Sequence, residues 1–147
     1  MREAQQDIWS YQGRAVIVLT TNGSVTRDGR AIMGRGVARQ AAERFPELRS
    51  RLGALLQDGG NHVYEIQPGL VSFPVEDTPF SQPDKRLIQR SAEELRRLAD
   101  QAGWQQIVVP RPGCGGGGLA WEEVKPLLMG LFDERFIVLA APDCKTD

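Results

Sequence analysis

The stretch "PRPGCGGGGLAWEEVKP" (residues 110–126) places five glycines within the six positions 113–118, between two patterned segments. The preceding "WQQIVV" is typical of a short apolar strand, and the following "WEEVKPLLMGLF" has the apolar spacing of a helix. Glycine is the residue that costs most to order, so a run of it predicts unusual backbone dihedrals or close contact with a ligand. A strand, a glycine loop and a helix start in this order are typical of an anion site, commonly for phosphate.

Strands and helices alternate over much of the chain. "RAVIVLT" predicts a strand buried on both faces, and "VARQAAERF" and "ELRSRLGALLQ" predict two helices after it. "HVYEI" and "LVSFPV" around "QPG" predict a strand pair, followed by a helix from about residue 85 to 102 and a last strand, "FIVLAAP". The order predicts an α/β fold, a three-layer α/β/α arrangement with a central mixed sheet, in a single domain of residues 1–147.

Composition narrows the class of protein. The chain has 18 Lys+Arg and 19 Asp+Glu, for a formal net charge of -1, which argues against a generic nucleic-acid coat. Its two cysteines, Cys114 and Cys144, have neither the pattern of a disulfide framework nor the spacing of metal ligands. The start "MREAQQDIW" lacks the apolar run of a signal peptide, and no stretch is long and apolar enough for a membrane span. We therefore expect a cytoplasmic protein with no membrane partner and no metal.

Of two known phosphate-binding patterns, the glycine run matches one literally and lacks the other. Residues 113–118 satisfy the dinucleotide pattern G-x-G-x-x-G, and Asp143 follows at a distance suited to a ribose. This signal is weak alone, because any glycine run matches it, and the four residues after Asp143 leave no second mononucleotide half. A Walker A loop is excluded, because no Lys-Ser or Lys-Thr follows the glycines.

An earlier glycine segment, "MGRGVA" (residues 33–38), favours another interpretation. In chain order it is the first glycine segment, and residues 113–118 form the second. It follows the strand that closes at Asn22 and leads into a helix, so two glycine loops at strand-to-helix junctions could hold a diphosphate and its sugar. With "DI" at residues 7–8, "VIVLTTN", "MGRGVA" with its downstream "FP", and "PRPGCGGGGLAWEEVKP", the chain resembles a macrodomain, the ADP-ribose-binding fold. The last stretch is similar to the phosphate loop of terminal ADP-ribose glycohydrolases and of the related antitoxin macrodomains that repair DNA.

The resemblance implies a role for each matching segment. Asp7 would accept a hydrogen bond from the adenine amino group, Asn22 would orient the distal ribose, and the glycine loops would hold the diphosphate. The implied ligand-binding residues are Asp7, Ile8, Asn22, Gly34, Arg35, Gly36, Val37, Gly113, Cys114, Gly115, Gly116, Gly117, Gly118, Leu119 and Asp143.

The sequence departs from this pattern at the catalytic positions. In the glycohydrolases that the loop resembles, a lysine from the middle strands attacks the distal ribose, and an aspartate lies within the second glycine loop. Here "HVYEIQPGLVSFPVED" contains no lysine and residues 113–118 contain no aspartate. Asn22 and Asp28 are therefore the catalytic candidates. Glu65, Glu76 and Asp77 are further possible bases, although Glu76 and Asp77 begin a polar loop where solvated acids are expected.

The function predicted from these residues is ADP-ribose binding, with hydrolysis of ADP-ribosyl linkages on a protein or a nucleic acid. Some macrodomains use a water activated by the substrate's own phosphate, which needs no lysine. A non-catalytic ADP-ribose-binding module and an ADP-ribose 1''-phosphate phosphatase remain as alternatives, and a dinucleotide-binding oxidoreductase fragment is a distant one. The expected partner is ADP-ribose or an ADP-ribosylated macromolecule, with no cofactor, and the chain is expected to be a monomer.

Overall fold

The computed structural model of the protein describes residues 1–115 and 118–140, which fold around one mixed sheet of six strands. The strands lie in the order β1-β6-β5-β2-β4-β3. Their bounds are β1 Arg2–Gln5, β2 Val16–Thr21, β3 Glu65–Gln67, β4 Leu70–Pro74, β5 Ile107–Pro110 and β6 Phe136–Ala140.

The direction of the strands places the loops that follow the parallel strands at one edge of the sheet. β1, β6, β5, β2 and β4 pair in parallel, and β3 is antiparallel to β4. The carboxyl ends of the five parallel strands therefore lie at one edge of the sheet, which we call the carboxyl edge. Their amino ends lie at the opposite edge, which we call the amino edge.

Helices cover both faces of the sheet. Helix α1 (Gly36–Arg44), helix α2 (Leu48–Gly59) and a 3-10 helix (Ile8–Tyr11) pack on one face, and α3 (Lys85–Ala102) and α4 (Trp121–Met129) pack on the other. Side chains alternate between these layers, as a strand period of two requires. The first core lies between the sheet and α1, α2 and the 3-10 helix, and the second core lies between the sheet and α3 and α4. Ile17 and Leu19 of β2 pack in the first core, and Val18 packs in the second. The predicted three-layer α/β/α fold with a mixed sheet is confirmed.

Local signals explain several element boundaries. Asp84 caps α3 by accepting from the backbone N–H of Arg86 at 2.9 Å, and Gly103 ends the helix in the left-handed region at φ 71. The predicted helix over residues 85–102 is therefore confirmed to the residue. Within the described residues, no helix is long and apolar enough to cross a membrane.

The beginning of the chain holds two elements that the sequence did not predict. β1 has the largely exposed, polar sequence "REAQ". It is an outermost strand of the sheet and pairs with β6. The 3-10 helix buries Ile8, Trp9 and Tyr11, whose spacing matches neither a strand nor an α-helix. Both elements depend on partners far along the chain, because β6 and the first core hold them in place.

Candidate functional site

Several of the residues that the sequence singled out lie at the carboxyl edge. Asp7 follows β1, Asn22 follows β2, Glu76 comes two residues after β4, and the second glycine segment begins after β5. Because these strands are parallel neighbours, their following loops lie at the same end of the sheet. Ligands of open α/β sheets bind outside the carboxyl ends of the strands, so this edge is the candidate site.

Asp7 and Ile8 have different surroundings at this edge. The exposed Asp7 caps the 3-10 helix, because its Oδ1 accepts from the backbone N–H of Trp9 at 3.1 Å. Ile8 is buried in the first core, with 6% of its residue surface exposed. Asp7 thus caps the 3-10 helix, in addition to the adenine contact that the resemblance implies. The Ile8 side chain packs in the core.

Asn22 is buried, and its side chain makes hydrogen bonds to the backbone of the loop that follows it. Its Nδ2 donates to the backbone oxygen of Ile32 at 3.0 Å, and its Oδ1 accepts from the backbone N–H of Ser24 at 3.0 Å. The amide side chain therefore joins the end of β2 to the residues just before the first glycine segment. One N–H and one lone pair of the amide remain for a ligand.

The first glycine segment leads into α1. Gly34, Arg35 and Gly36 are exposed, and a Cβ added at either glycine would meet no atom within 4 Å. Gly36 opens the helix at φ 57, where a side chain would be strained. Arg35, the residue before α1, makes no side-chain cap, and Val37 packs against the first core. The segment thus presents bare backbone toward the carboxyl edge.

Arg35 points from this segment to the loop after β4. Its Nη2 lies 2.7 Å from the backbone oxygen of Pro79 and 3.3 Å from Oε1 of Glu76. The Glu76 side chain is 12% exposed, and burial raises its pKa above the ordinary value while Arg35 acts in the opposite direction. Glu76 is therefore not the solvated loop acid that the sequence predicted, whereas Asp77 and Glu65 are exposed.

Asp28 lies in a different environment. It sits at an exposed turn, where Thr26 donates to its Oδ1 and Arg30 Nε lies 3.4 Å from its Oδ2. The Thr26 hydroxyl, with a smaller contribution from Arg30, lowers the pKa of this carboxyl. The turn packs on α2, since a Cβ at Gly53 would lie 1.8 Å from the backbone oxygen of Gly29. The local partners of Asp28 are thus those of a surface turn, and its catalytic role stays a prediction.

The second glycine segment contains two kinds of glycine. At Gly113, which has φ 71, a Cβ would lie 2.9 Å from Cδ1 of Ile88, and at Gly118 it would lie 2.1 Å from the Gly113 oxygen. Both positions require glycine because the protein itself fills the space. At the exposed Gly115 a Cβ would meet nothing within 4 Å, as at Gly34. Gly115 is therefore the described position of this loop where a ligand can approach the backbone.

Some backbone groups of this loop are occupied by the loop itself. The Gly118 N–H donates to the Gly115 oxygen at 3.0 Å, and the Leu119 N–H donates to the Gly113 oxygen at 2.7 Å. Gly118 and Leu119, which the resemblance implied as ligand-binding residues, therefore use these N–H groups to close the turn. Cys114 and Leu119 pack against the second core. Gly116, Gly117 and Asp143 lie outside the described residues.

A glutamate in the first turn of α4 makes a hydrogen bond to the backbone at the amino end of the helix. Glu123 Oε2 accepts from the backbone N–H of Ala120 at 3.1 Å, and Glu123 Oε1 lies 3.0 Å from Nζ of Lys85. The Lys85 contact lowers the pKa of this glutamate and so favours its ionised form. The positive end of the helix dipole is thus partly satisfied by the protein. Among residues 1–115 and 118–140, no three His, Cys, Asp or Glu side chains form a metal-binding group.

This arrangement of sheet, layers and edge loops is the macrodomain fold. The macrodomain of DarG from Thermus aquaticus superposes with a TM-score of 0.76 at 22% identity, covering 95% of this chain and 96% of that one. DarTG from Thermosipho africanus, solved in complex with ADP-ribose, superposes with a TM-score of 0.80 at 19% identity, covering 99% of this chain and 42% of that one. The fold that the sequence resemblance implied is confirmed.

Curated relatives are also detected by sequence. Two DNA ADP-ribosyl glycohydrolases, from Mycobacterium tuberculosis and Mycobacterium bovis, are each 24% identical to this chain over 113 residues. The match covers 70% of this chain and 32% of each relative, so it spans about a third of the length of those proteins. No protein-family model matches the sequence.

Proposed function

We propose that this protein binds ADP-ribose at the carboxyl edge and hydrolyses the bond that joins ADP-ribose to a macromolecule. The observation that carries the proposal is the convergence of Asp7, Asn22 and both glycine segments at one edge of the sheet. The same fold is found in Thermosipho africanus DarTG solved in complex with ADP-ribose, which supports this ligand over other nucleotides.

Each part of the ligand has a matching group along the edge. Asp7, between β1 and the 3-10 helix, accepts from the adenine amino group. The diphosphate crosses the exposed backbone of Gly115 and of the Gly34–Gly36 segment, where no Cβ intervenes. The distal ribose lies near Asn22, whose remaining N–H and lone pair can fix a hydroxyl. The bond to be cleaved is then at the anomeric carbon of this ribose.

The proposed substrate is ADP-ribosylated DNA. The curated relatives are named DNA ADP-ribosyl glycohydrolases, and this chain matches about a third of their length. A fully exposed aromatic side chain lies beside the proposed site, because Phe80 is 96% exposed and follows Pro79, whose oxygen binds Arg35. Exposed aromatic rings stack on unpaired bases with little sequence preference, which suits a single-stranded DNA substrate.

The second candidate is an ADP-ribose reader that cleaves nothing. The sequence from His62 to Thr78 contains no lysine, and residues 113–118 contain no aspartate. A covalent Schiff-base intermediate on β3 or β4 is therefore excluded, and borohydride should trap no adduct there. In the hydrolase proposal, turnover instead depends on a positioned water, and positioning of reactants can lower the barrier by several kcal/mol.

One substrate panel separates these functions. Purified protein is incubated with ADP-ribosylated single-stranded DNA, ADP-ribosylated protein and ADP-ribose 1''-phosphate, and the release of ADP-ribose is measured. We expect release from DNA above that from protein. Release only from the phosphate would identify a phosphatase. Binding of ADP-ribose without any release would identify a reader and overturn the hydrolase proposal. Tighter binding of NAD than of ADP-ribose would overturn the ligand assignment.

A further inference from the structure

Glu76 combines three features at the carboxyl edge: burial, a fixed backbone and contact with a glycine segment. It lies two residues after β4, and β4 pairs in parallel with β2, which ends beside Asn22. The Val75 N–H donates to the Thr21 oxygen at 3.0 Å, so the pairing of the two strands continues to the residue before Glu76. Glu76 is therefore next to the position proposed for the distal ribose.

The backbone around Glu76 is held from several sides. Asn61 Nδ2 donates to the Glu76 oxygen at 3.1 Å, and the Gly23 N–H donates to the Asp77 oxygen at 2.9 Å. Arg35 Nη2 donates to the Pro79 oxygen at 2.7 Å. Catalytic groups need such fixed positions, because small displacements of a reacting group cost much of the rate.

The Glu76 side chain differs from other acids near the site. It is 12% exposed, against 64% for Asp28. Its Oε1 lies 3.3 Å from Arg35 Nη2, so Oε2 is the oxygen left for another partner. The charged groups near it are Arg35 from the start of α1, Asp77 from its own loop and Arg90 from α3, which donates to the Asn61 oxygen. Burial outweighs the effect of Arg35 and raises the pKa of Glu76, which makes its carboxylate a better base.

We propose that Glu76 is the general base that activates water for hydrolysis of the ADP-ribosyl bond, an assignment that rests on the proposed function. Oε2 accepts a proton from water as the water oxygen bonds to the anomeric carbon of the distal ribose. The bond from that carbon to the leaving group breaks, and the leaving group keeps the electron pair. Glu76 then returns its proton to the leaving group or to solvent. The products are ADP-ribose and the unmodified macromolecule.

The position of Glu76 also suggests a role for Arg35. Its guanidinium holds Oε1 of Glu76 and the Pro79 oxygen, so it fixes the carboxylate relative to the first glycine segment. Arg35 is thus a positioning residue in this assignment. A carboxylate base also accounts for hydrolysis in a protein whose residues 62–78 contain no lysine nucleophile.

The test compares Glu76→Gln, Glu76→Asp and the control Glu43→Gln. Glu43 is an exposed glutamate of α1 that is also paired with an arginine, since its Oε2 lies 3.9 Å from Arg39 Nε. Turnover of ADP-ribosylated single-stranded DNA is measured across pH, with the Kd of ADP-ribose measured in parallel. General bases contribute roughly 100- to 10,000-fold to the rate, so Glu76→Gln should lose about that factor in kcat. Its Kd should change by less than about threefold, because the lost group acts on the water.

The pH profile and the conservative variant sharpen the result. Wild-type turnover should rise with pH through the pKa of Glu76 and then level, and Glu76→Gln should lack this rise. Glu76→Asp should recover part of the turnover, and Glu43→Gln should match the wild type. Full turnover in Glu76→Gln, or equal losses of kcat and of affinity, would overturn the assignment while leaving the hydrolase function intact. A wild-type protein that binds ADP-ribose and cleaves nothing would overturn both proposals.

Discussion

The two edges of the sheet differ in the size and in the chemistry of their openings. The amino edge carries a groove of about 740 Å³, lined in part by Arg2, Arg14 and Trp104. The carboxyl edge has a depression of about 230 Å³ beside Asp77, together with exposed glycines and the half-buried Glu76. Of these two openings, which the described residues line, the larger is at the edge opposite the proposed site.

The amino-edge groove uses its cations to hold the fold. Arg2 Nε donates to the Glu134 oxygen at 3.2 Å, and Arg14 Nη2 donates to the Ser10 oxygen at 2.9 Å. At the carboxyl edge, by contrast, strand ends and helix starts converge, and backbone lies open to solvent at Gly34 and Gly115. The direction of the strands and the exposed backbone thus indicate a different site from the one that the volume of an opening would indicate.

The largest expected effect comes from Gly115→Val. A Cβ at Gly115 meets no protein atom within 4 Å, so the fold should be kept, but the side chain would fill the space proposed for the diphosphate. We expect at least about a 100-fold loss of ADP-ribose affinity by calorimetry, or about 2.7 kcal/mol. The control is Gly130→Val at the end of α4, where a Cβ also meets nothing within 4 Å. Equal Kd values for the two variants would show that the phosphate loop is assigned wrongly.

Asn22→Ala should separate turnover from binding. The variant leaves the Ile32 oxygen and the Ser24 N–H without their partner, which should lower the free energy of unfolding by about 1–3 kcal/mol in urea titrations. Turnover should fall by a larger factor than ADP-ribose affinity, because the lost contact lies at the reacting sugar. A proportionate loss of both would place Asn22 in ligand binding alone.

Asp7→Ala should weaken adenine-containing ligands by about 1–3 kcal/mol, the usual cost of leaving a polar partner unmet. Ribose 5-phosphate, which has no adenine, should be much less affected, and calorimetry with both ligands measures the difference. The matched amino-edge variant is Arg14→Ala, which should leave the Kd of ADP-ribose unchanged. A similar loss for both ligands in Asp7→Ala would instead reflect the broken cap of the 3-10 helix.

The smallest effect concerns stability and pH at Glu76. Because burial raises the pKa of Glu76 in the folded protein, folding favours its protonated form. Its contribution to stability is therefore present below the ordinary value of 4.5 and is lost as pH rises through the raised pKa. We expect Glu76→Gln to gain stability relative to the wild type as pH rises above the ordinary value of 4.5 and through the raised pKa, as measured by urea unfolding. A Glu76→Gln variant that is less stable than the wild type at neutral pH would mean that the pair with Arg35 is a net structural contact.

The sequence predicted best where local chemistry decides the structure. Asp84 and Gly103 bound α3, and Gly69, at φ 85, forms the turn between β3 and β4, so short-range rules were enough. The strand β1 was missed because "REAQ" is polar and exposed, and it becomes a strand only by pairing with β6 more than 130 residues away.

For the candidate site, the sequence indicated the backbone segments better than the surroundings of the side chains. The glycine segments are visible in the sequence because glycine itself marks exposed or tightly packed backbone. The surroundings of Glu76 include Arg35, which lies 41 residues earlier in the sequence. They also include the loop after β4, whose conformation no local sequence pattern predicts. For the same reason, the sequence could not show that Gly113 and Gly118 pack against the protein while Gly115 is open.

A crystal structure with ADP-ribose tests the central claim most directly. The account predicts the diphosphate at the carboxyl edge, between Gly115 and the Gly34–Gly36 segment, with adenine toward Asp7. The distal ribose should then lie beside Asn22 with its anomeric carbon facing Glu76. ADP-ribose in the amino-edge groove beside Arg14, or at the carboxyl edge with its distal ribose away from Asn22, would contradict the account.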